Sequence, residues 1–324
     1  MSRSPAFASV FFLLLTCVAA AQVPAKTARI GMLCPIRCVG PGYTAFDDEL
    51  RKLGWIEGQN LTIDRKEAEG HSARYSALVA EAVQSRPDVI TAPGPALALA
   101  AKQATSQVPI VFSFIADPVG LGLVQSLAQP GGNITGVTSL VPGALLAKNF
   151  EIARELLPNA RRMAMLWNPT NESVRLLITR ELPLASRYNL QVDPIEVRTR
   201  EELPGAVEKA KALGADAVFV TGDAIFQTPP HRVPELMAQA KLPAIYAFRE
   251  SVRAGGLIAY SSDFEWIARR HAHLVNRVVR GTPPTEVPVE QPSKYYLVIN
   301  LKTAQALGLT VPSSLLSSAD EVIE

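Results

Sequence analysis

Charge of one sign is what this chain has least of: across 324 residues, 32 Lys and Arg face 30 Asp and Glu, for a formal charge of +2. So even a balance leaves no basic footprint for nucleic acid or an anionic membrane surface, and neither partner is expected. Histidine and cysteine are sparse, with four and three copies. Two thiols at Cys34 and Cys38, with no histidine near them in sequence, fall short of a metal-ligand set. His271 and His273, two apart on a predicted helix, point away from each other, and His71 and His231 lie by predicted turns, so no metal centre is expected. Catalytic signatures are missing as well. The chain has no Walker phosphate loop, no G-x-S-x-G elbow and no H-E-x-x-H zinc helix. Gly120-Leu121-Gly122 opens like a dinucleotide fingerprint, but Gln125 stands where the third glycine belongs. The expectation is a protein that is not an enzyme and carries no cofactor.

What is present begins with an export signal. Arg3 precedes an apolar run from Ala6 to Ala21, and Ala19-Ala20-Ala21 fits the small-x-small cleavage rule. Residues 1–21 are therefore expected to be removed, leaving a chain that starts near Gln22. The run is shorter than the roughly 20 apolar residues of a spanning helix, which argues against an uncleaved anchor. Lipidation at Cys17 is the lesser alternative, because Thr16 stands where such sites take Gly, Ala or Ser. Cys34 and Cys38 then remain in the turn after the first strand. They are either bonded in an oxidising compartment or free, and four-residue spacing does not decide between the two.

With 324 residues, 48% of them hydrophobic, the chain exceeds the size at which one core keeps growing, so two lobes are expected. Pro109 to Ile115 (PIVFSFI) is a near-continuous apolar run, the pattern of a parallel strand covered on both faces. After it, Asp117 and Pro118 suit the start of a helix in which Leu121, Val124 and Leu127 recur at helical spacing, stopped by Gly131-Gly132. Further strands are predicted over 29–33, 61–65 and 88–91, with helices between them. The rhythm restarts after Gly143, with strands over 162–167, 192–197, 217–221 and 244–248. Then come a strand at 257–260, a long helix over 264–280, an extended stretch at 286–290, a last strand at 296–299 and a short helix over 302–307. Pro183 should kink the helix predicted over 172–188. Strand alternating with helix predicts an α/β protein of two doubly wound parallel-sheet lobes.

Four segments, ADPVGLGLVQSLAQPGGNITG, AMLWNP, PAIYAFRE and YYLVINLKTAQALGLTVP, occur in order along the chain. Through them the chain from Arg29 to Glu324 resembles the tryptophan/tyrosine-type substrate-binding proteins of ABC transporters. The resemblance implies a type I periplasmic-binding fold. Residues 28–138 with about 262–292 would form one lobe, 139–261 with about 293–324 the other, and a multi-strand hinge with crossings near Thr138, Ser261 and Pro292 would join them. It further implies a periplasmic monomer that closes on a small molecule, an amino acid and plausibly an aromatic one, and delivers it to a membrane permease. An extracytoplasmic sensor signalling to a membrane receptor would use the same closure. A neighbouring permease operon favours transport, and a neighbouring membrane kinase favours sensing. A secreted hydrolase is the third reading, and it lacks a nucleophile–base pair in the sequence.

Open α/β sheets bind small molecules at the carboxyl ends of their strands. That rule selects Pro35, Pro93, Gly94 and Asp117 in the first lobe, and Trp167, Asn168, Asn171, Thr221, Asp223 and Phe248 in the second. Each has a plain structural role beside the ligand role. Asp117 before Pro118 suits a helix N-cap, Asn168 before Pro169 shapes a turn, Asn171 caps the next helix, and Trp167 ends an apolar strand. Asp223 follows a buried strand with no clear helical run beside it, which makes it the preferred partner for a ligand ammonium group. Backbone N–H groups in the first lobe would meet a carboxylate, and Trp167 with Phe248 would wall an aromatic side chain.

Overall fold

The computed structural model describes residues 26–140, 145–227 and 229–324. The leader expected over 1–21, and Cys17 within it, lie outside the described residues.

Strand β1 (Ala28–Cys34) is followed by α1 (Pro41–Lys52), β2 (Leu61–Glu67), α2 (Tyr75–Gln84), β3 (Val89–Pro93), α3 (Pro95–Ala104), β4 (Ile110–Ile115) and β5 (Ile134–Thr138). These strands form one parallel sheet in the order β2-β1-β3-β4-β5. β3 and β4 are apolar apart from Thr91 and Ser113 because helices cover both faces of the sheet. Phe46 and Leu50 of α1 pack on one face, and Leu78 and Val79 of α2 with Leu97 and Ala98 of α3 pack on the other. Within the sheet, backbone and ring crowd Gly136 of β5, where a Cβ would stand 2.3 Å from the Phe112 carbonyl oxygen and 2.5 Å from its ring.

The chain continues through α4 (Leu145–Leu156), β6 (Arg162–Trp167), α5 (Glu172–Glu181), β7 (Gln191–Glu196), α6 (Leu203–Ala212), β8 (Ala217–Val220), α7 (Arg232–Ala240), β9 (Ala244–Tyr246), α8 (Arg249–Arg253) and β10 (Ile258–Ser262). After α9 (Phe264–Val279) come β11 (Tyr295–Asn300), α10 (Leu301–Ala306), α11 (Ser313–Ser318) and β12 (Glu321–Ile323). The second sheet runs β12-β11-β10-β9-β8-β6-β7 and is parallel except between β10 and β11. Helix α9 leaves this sheet for the first: Ile267, Ala272 and Val275 share a core with Phe46 and Val111. Trp55 Nε1 donates to Asn276 Oδ1 at 2.9 Å, and Arg270 pairs with Glu290. Three passages run side by side between the sheets. Thr138 N–H donates to the Glu290 carbonyl at 2.8 Å, and Ser262 Oγ donates to the Ser139 carbonyl at 2.7 Å.

Several sequence expectations are corrected here. The helix expected from Pro118 is a series of turns, in which Leu121 N–H bonds to Asp117 O, Gly122 N–H to Val119 O and Leu123 N–H to Pro118 O. Gly122 adopts a left-handed φ of 66° that ends any helix. Leu123 and Val124 are nevertheless buried, so the apolar spacing is met by folded turns. The helix predicted over 172–188 stops at Glu181 and tightens into a 3₁₀ segment over Leu182–Tyr188, with Pro183 in its first turn. Where an extended stretch was expected at 286–290, a short turn over Pro284–Glu286 precedes a single bridge at Glu290. The short elements α8, α11 and β12 had no counterpart in the sequence reading.

Cys34 and Cys38 are bonded to each other, their Cα atoms 5.4 Å apart, inside the span a bridge tolerates. The bond closes a loop that Glu69 and Gly70 also hold, their N–H groups donating to the Ile36 and Pro35 carbonyls. Closing so short a loop is worth about 2 kcal/mol by chain entropy. Cys38→Ser is therefore expected to lower the melting midpoint by several degrees in a calorimeter. An unchanged midpoint would mean that the backbone bonds alone hold the turn.

Candidate functional site

The carboxyl ends of both sheets face a cleft of about 1180 Å³. Pro35, Pro93 and Gly94 line it from the first sheet, and Asn168, Asn171, Thr221, Asp223 and Phe248 line it from the second. Two expected residues lie elsewhere. Trp167 is not in the lining: strand alternation puts it on the face of Met163 and Met165, and its Nε1 is buried with no hydrogen-bond partner among the described residues. Asp117 sits in a small side crevice, where Oδ1 accepts from Gly120 N–H at 2.7 Å and Oδ2 pairs with Arg180 of α5. That ion pair ties a loop of the first sheet to a helix of the second, so the carboxylate is already matched.

Asp223 has a different environment. It follows β8 through Gly222 and caps a short 3₁₀ turn, its Oδ1 accepting from Ile225 N–H at 3.0 Å. Asn171 Nδ2 donates to its Oδ2 at 2.8 Å, and Asn168 Nδ2 to its Oδ1 at 3.3 Å. These are neutral donors, so the carboxylate is oriented without its charge being cancelled. Its field crosses the cleft to Tyr75 of the first lobe, whose phenol pKa is pushed up by burial and then by Asp223. Asn171 also fills the structural role expected of it, because its Oδ1 caps α5 at the Val174 N–H. Asn168 Oδ1 accepts from Thr170 N–H and Oγ1. Thr221 Oγ1 donates to the Leu166 carbonyl at 2.9 Å, which spends its proton on the strand ladder.

Sequence reasoning named Phe248 for an aromatic wall but missed the two rings that build it with Phe248. Phe114 meets Phe264 edge-on at 5.1 Å between centroids, and Phe264 meets Phe248 in the same way at 4.8 Å. Regular alternation would send Phe114 toward α3 with Phe112. Instead the register slips between Ser113 and Ile115, and Phe114 takes a φ of 59°. This bulge turns Phe114 onto the α9 face, where it packs with Val111. A bulky residue in left-handed backbone is strained, and such strain concentrates at binding sites.

Several polar groups were missed as well. Ser113 Oγ and Ser173 Oγ are buried, with no hydrogen-bond partner among the described residues, and both residues line the cleft. His271 also lines it; its Nε2 lies 3.0 Å from the Val111 carbonyl oxygen, an atom that only accepts, so Nε2 carries the proton. Burial lowers the pKa of this imidazole to about 4, against a smaller opposing effect of the Val111 bond. Helices α1 and α3 both start at the cleft from glycine N-caps with no side-chain cap, so their first-turn N–H groups are available to an anion.

Comparison with known proteins accords with this geometry. The family model described as ABC transporter substrate binding protein matches residues 42–323. The tyrosine-binding protein of Clostridioides difficile (strain R20291) is 25% identical over 284 residues, 88% of this chain and 81% of the relative. A conserved domain protein from Vibrio cholerae superposes with a TM-score of 0.85 at 27% identity, covering 92% of this chain and all of the other. The ABC domain in complex with L-Trp from Streptococcus pneumonia superposes with a TM-score of 0.84 at 26% identity, again over 92% of this chain and all of the other.

Proposed function

The chain belongs to the ABC transporter substrate-binding protein family, and from that premise we propose that it captures a free aromatic amino acid outside the cytoplasm and delivers it to a membrane ABC permease. One lobe is residues 28–138 with about 262–292, and the other is 139–261 with about 293–324. They close about the passages near Thr138, Ser261 and Pro292, the hinge-bending repertoire of binding proteins. The leader at residues 1–21 sends the chain to the periplasm, where it acts as a monomer.

The observation that carries this reading is Asp223: a cleft carboxylate held by two asparagines and a backbone N–H, whose charge no protein cation neutralises among these contacts. A ligand ammonium group completes it. The carboxylate of the same ligand meets the uncapped first turns of α1 and α3, and Phe114, Phe248 and Phe264 receive its ring. The relatives support the class, one being named tyrosine-binding and another solved with L-Trp.

A thermal-shift panel on protein stripped by unfolding and refolding tests it. L-Tyr or L-Trp at about a hundred times its dissociation constant is expected to stabilise the fold by roughly 2.7 kcal/mol. Tyramine, which lacks the carboxylate, and 3-(4-hydroxyphenyl)propionate, which lacks the ammonium, are expected to do little at the same concentration. Equal shifts with all of them would remove the zwitterion from the reading, and a response confined to sugars or nucleosides would overturn the amino-acid class.

A further inference from the structure

We propose that Ser113 reads the polar edge of the ligand's aromatic ring, forming a hydrogen bond to a phenol hydroxyl or an indole N–H, and so selects against an aromatic side chain that lacks one. The assignment rests on the aromatic amino-acid reading above. Ser113 is 1% exposed, lies in the cleft lining and has an Oγ with no hydrogen-bond partner among the described residues. A buried hydroxyl left unpaired is costly, and a hydroxyl in the wall of a binding cleft is most simply kept for a ligand that completes it.

The surroundings say what kind of group that is. Alternation along β4 sets Ser113 on the face of Val111, the face that α1 and α9 cover. The bulge turns Phe114 onto that same face against Phe264, so the hydroxyl sits, with Thr91 and His271, as one of a few polar groups in a largely aromatic wall. Phe46 stacks obliquely on His271 beside it, with centroids 5.2 Å apart. His271 has committed its N–H to the Val111 carbonyl, so the remaining ring nitrogen, Nδ1, is an acceptor and the ring has no second donor. A ligand carboxylate would find that acceptor repulsive and would lack a cation in this wall. A neutral ring bearing one hydrogen-bonding group fits instead: its faces go to the phenylalanines and its edge goes to Ser113. The charged ends are served by Asp223 and by the uncapped helix termini, of which that of α3 starts beside Ser113, where the Gly94 N–H donates to the Ser113 carbonyl at 2.8 Å.

Sites built to hydrogen-bond a ligand hydroxyl or N–H discriminate against analogues without it, because the site's own polar group is then left buried and unmatched. Calorimetric titration of the whole chain with L-Tyr, L-Trp and L-Phe tests this. L-Tyr or L-Trp is expected to bind at least about tenfold more tightly than L-Phe. In Ser113→Ala the ratio is expected to fall to near one. Removing an unpaired buried hydroxyl should leave the ligand-free melting midpoint unchanged or raise it, which separates a lost contact from a damaged fold. Equal affinities for L-Tyr, L-Trp and L-Phe in the unaltered protein would overturn the assignment while leaving the amino-acid reading in place. So would an equal loss of all three in Ser113→Ala, which would put the hydroxyl at the ligand's main chain. If the unaltered protein binds none of the three, the aromatic amino-acid reading fails first and takes the Ser113 assignment with it.

Discussion

Asp223→Asn is expected to weaken amino-acid binding by roughly two to three orders of magnitude. The substitution keeps the shape of the side chain and removes the charge. It also sets a new amide against Asn168 Nδ2 and Asn171 Nδ2, which now donate to the carboxylate oxygens at 3.3 and 2.8 Å. Truncating one partner of a buried charge pair costs about 2–5 kcal/mol, and each 1.4 kcal/mol is about a tenfold change in affinity. Titration calorimetry with the responding ligand measures it directly. Dissociation constants within a factor of three of each other would mean that the ammonium is bound somewhere else. In that case the neutral network around Asp223 serves only to shape the loop after β8.

Phe112→Ala is expected to have the largest effect on stability. The side chain is fully buried on β4, next to the edge strand of the first sheet, in the core shared with α2 and α3, and it fills the space that Gly136 leaves open on the neighbouring strand. Large-to-small changes of a buried aromatic cost about 3–5 kcal/mol, because the lost burial is compounded by a cavity the surroundings cannot refill. At about 2–4 °C per kcal/mol in a chain of this size class, the melting midpoint should fall by roughly 10 °C. A fall of only about a degree would mean that the core relaxes into the gap. Binding, measured well below the transition, separates this loss from any disturbance of the adjoining Ser113–Phe114 bulge.

Local pattern carried far in some places and misled in others. The runs at 110–115 and 217–220 are legible as strands because both of their faces are covered, so all residues but Ser113 are apolar and no alternation confuses the period. The segment 118–127 misled because three apolar residues at helical spacing satisfy a chain of turns as well as a helix. Gly122, with its left-handed φ, is what allows the turns. Trp167 misled for a different reason. Its place at a strand end suggested the cleft, but its parity with Met163 and Met165 points it away, and that parity was readable in MAMLW. Ser113 also had a signal, a lone hydroxyl inside the apolar run PIVFSFI, although nothing local said that it would be unpaired.

By itself the sequence determined the alternation of strand and helix, the two sheets, the presence of the long helix at 264–279 and, among the residues that line the cleft, Pro35, Pro93, Gly94, Asn168, Asn171, Thr221, Asp223 and Phe248. Each of these follows from composition and periodicity within a dozen residues, or from the rule that strand ends bind ligands. Tertiary structure alone decided the antiparallel β11, the matching of Asp117 by Arg180, the bond between Cys34 and Cys38 and the meeting of Phe248 with Phe264 and Phe114 in one aromatic wall. All of these depend on which distant segments meet. Whether a carboxylate is spent or available, and whether a hydroxyl is paired or waiting, are properties of neighbours that local periodicity does not encode.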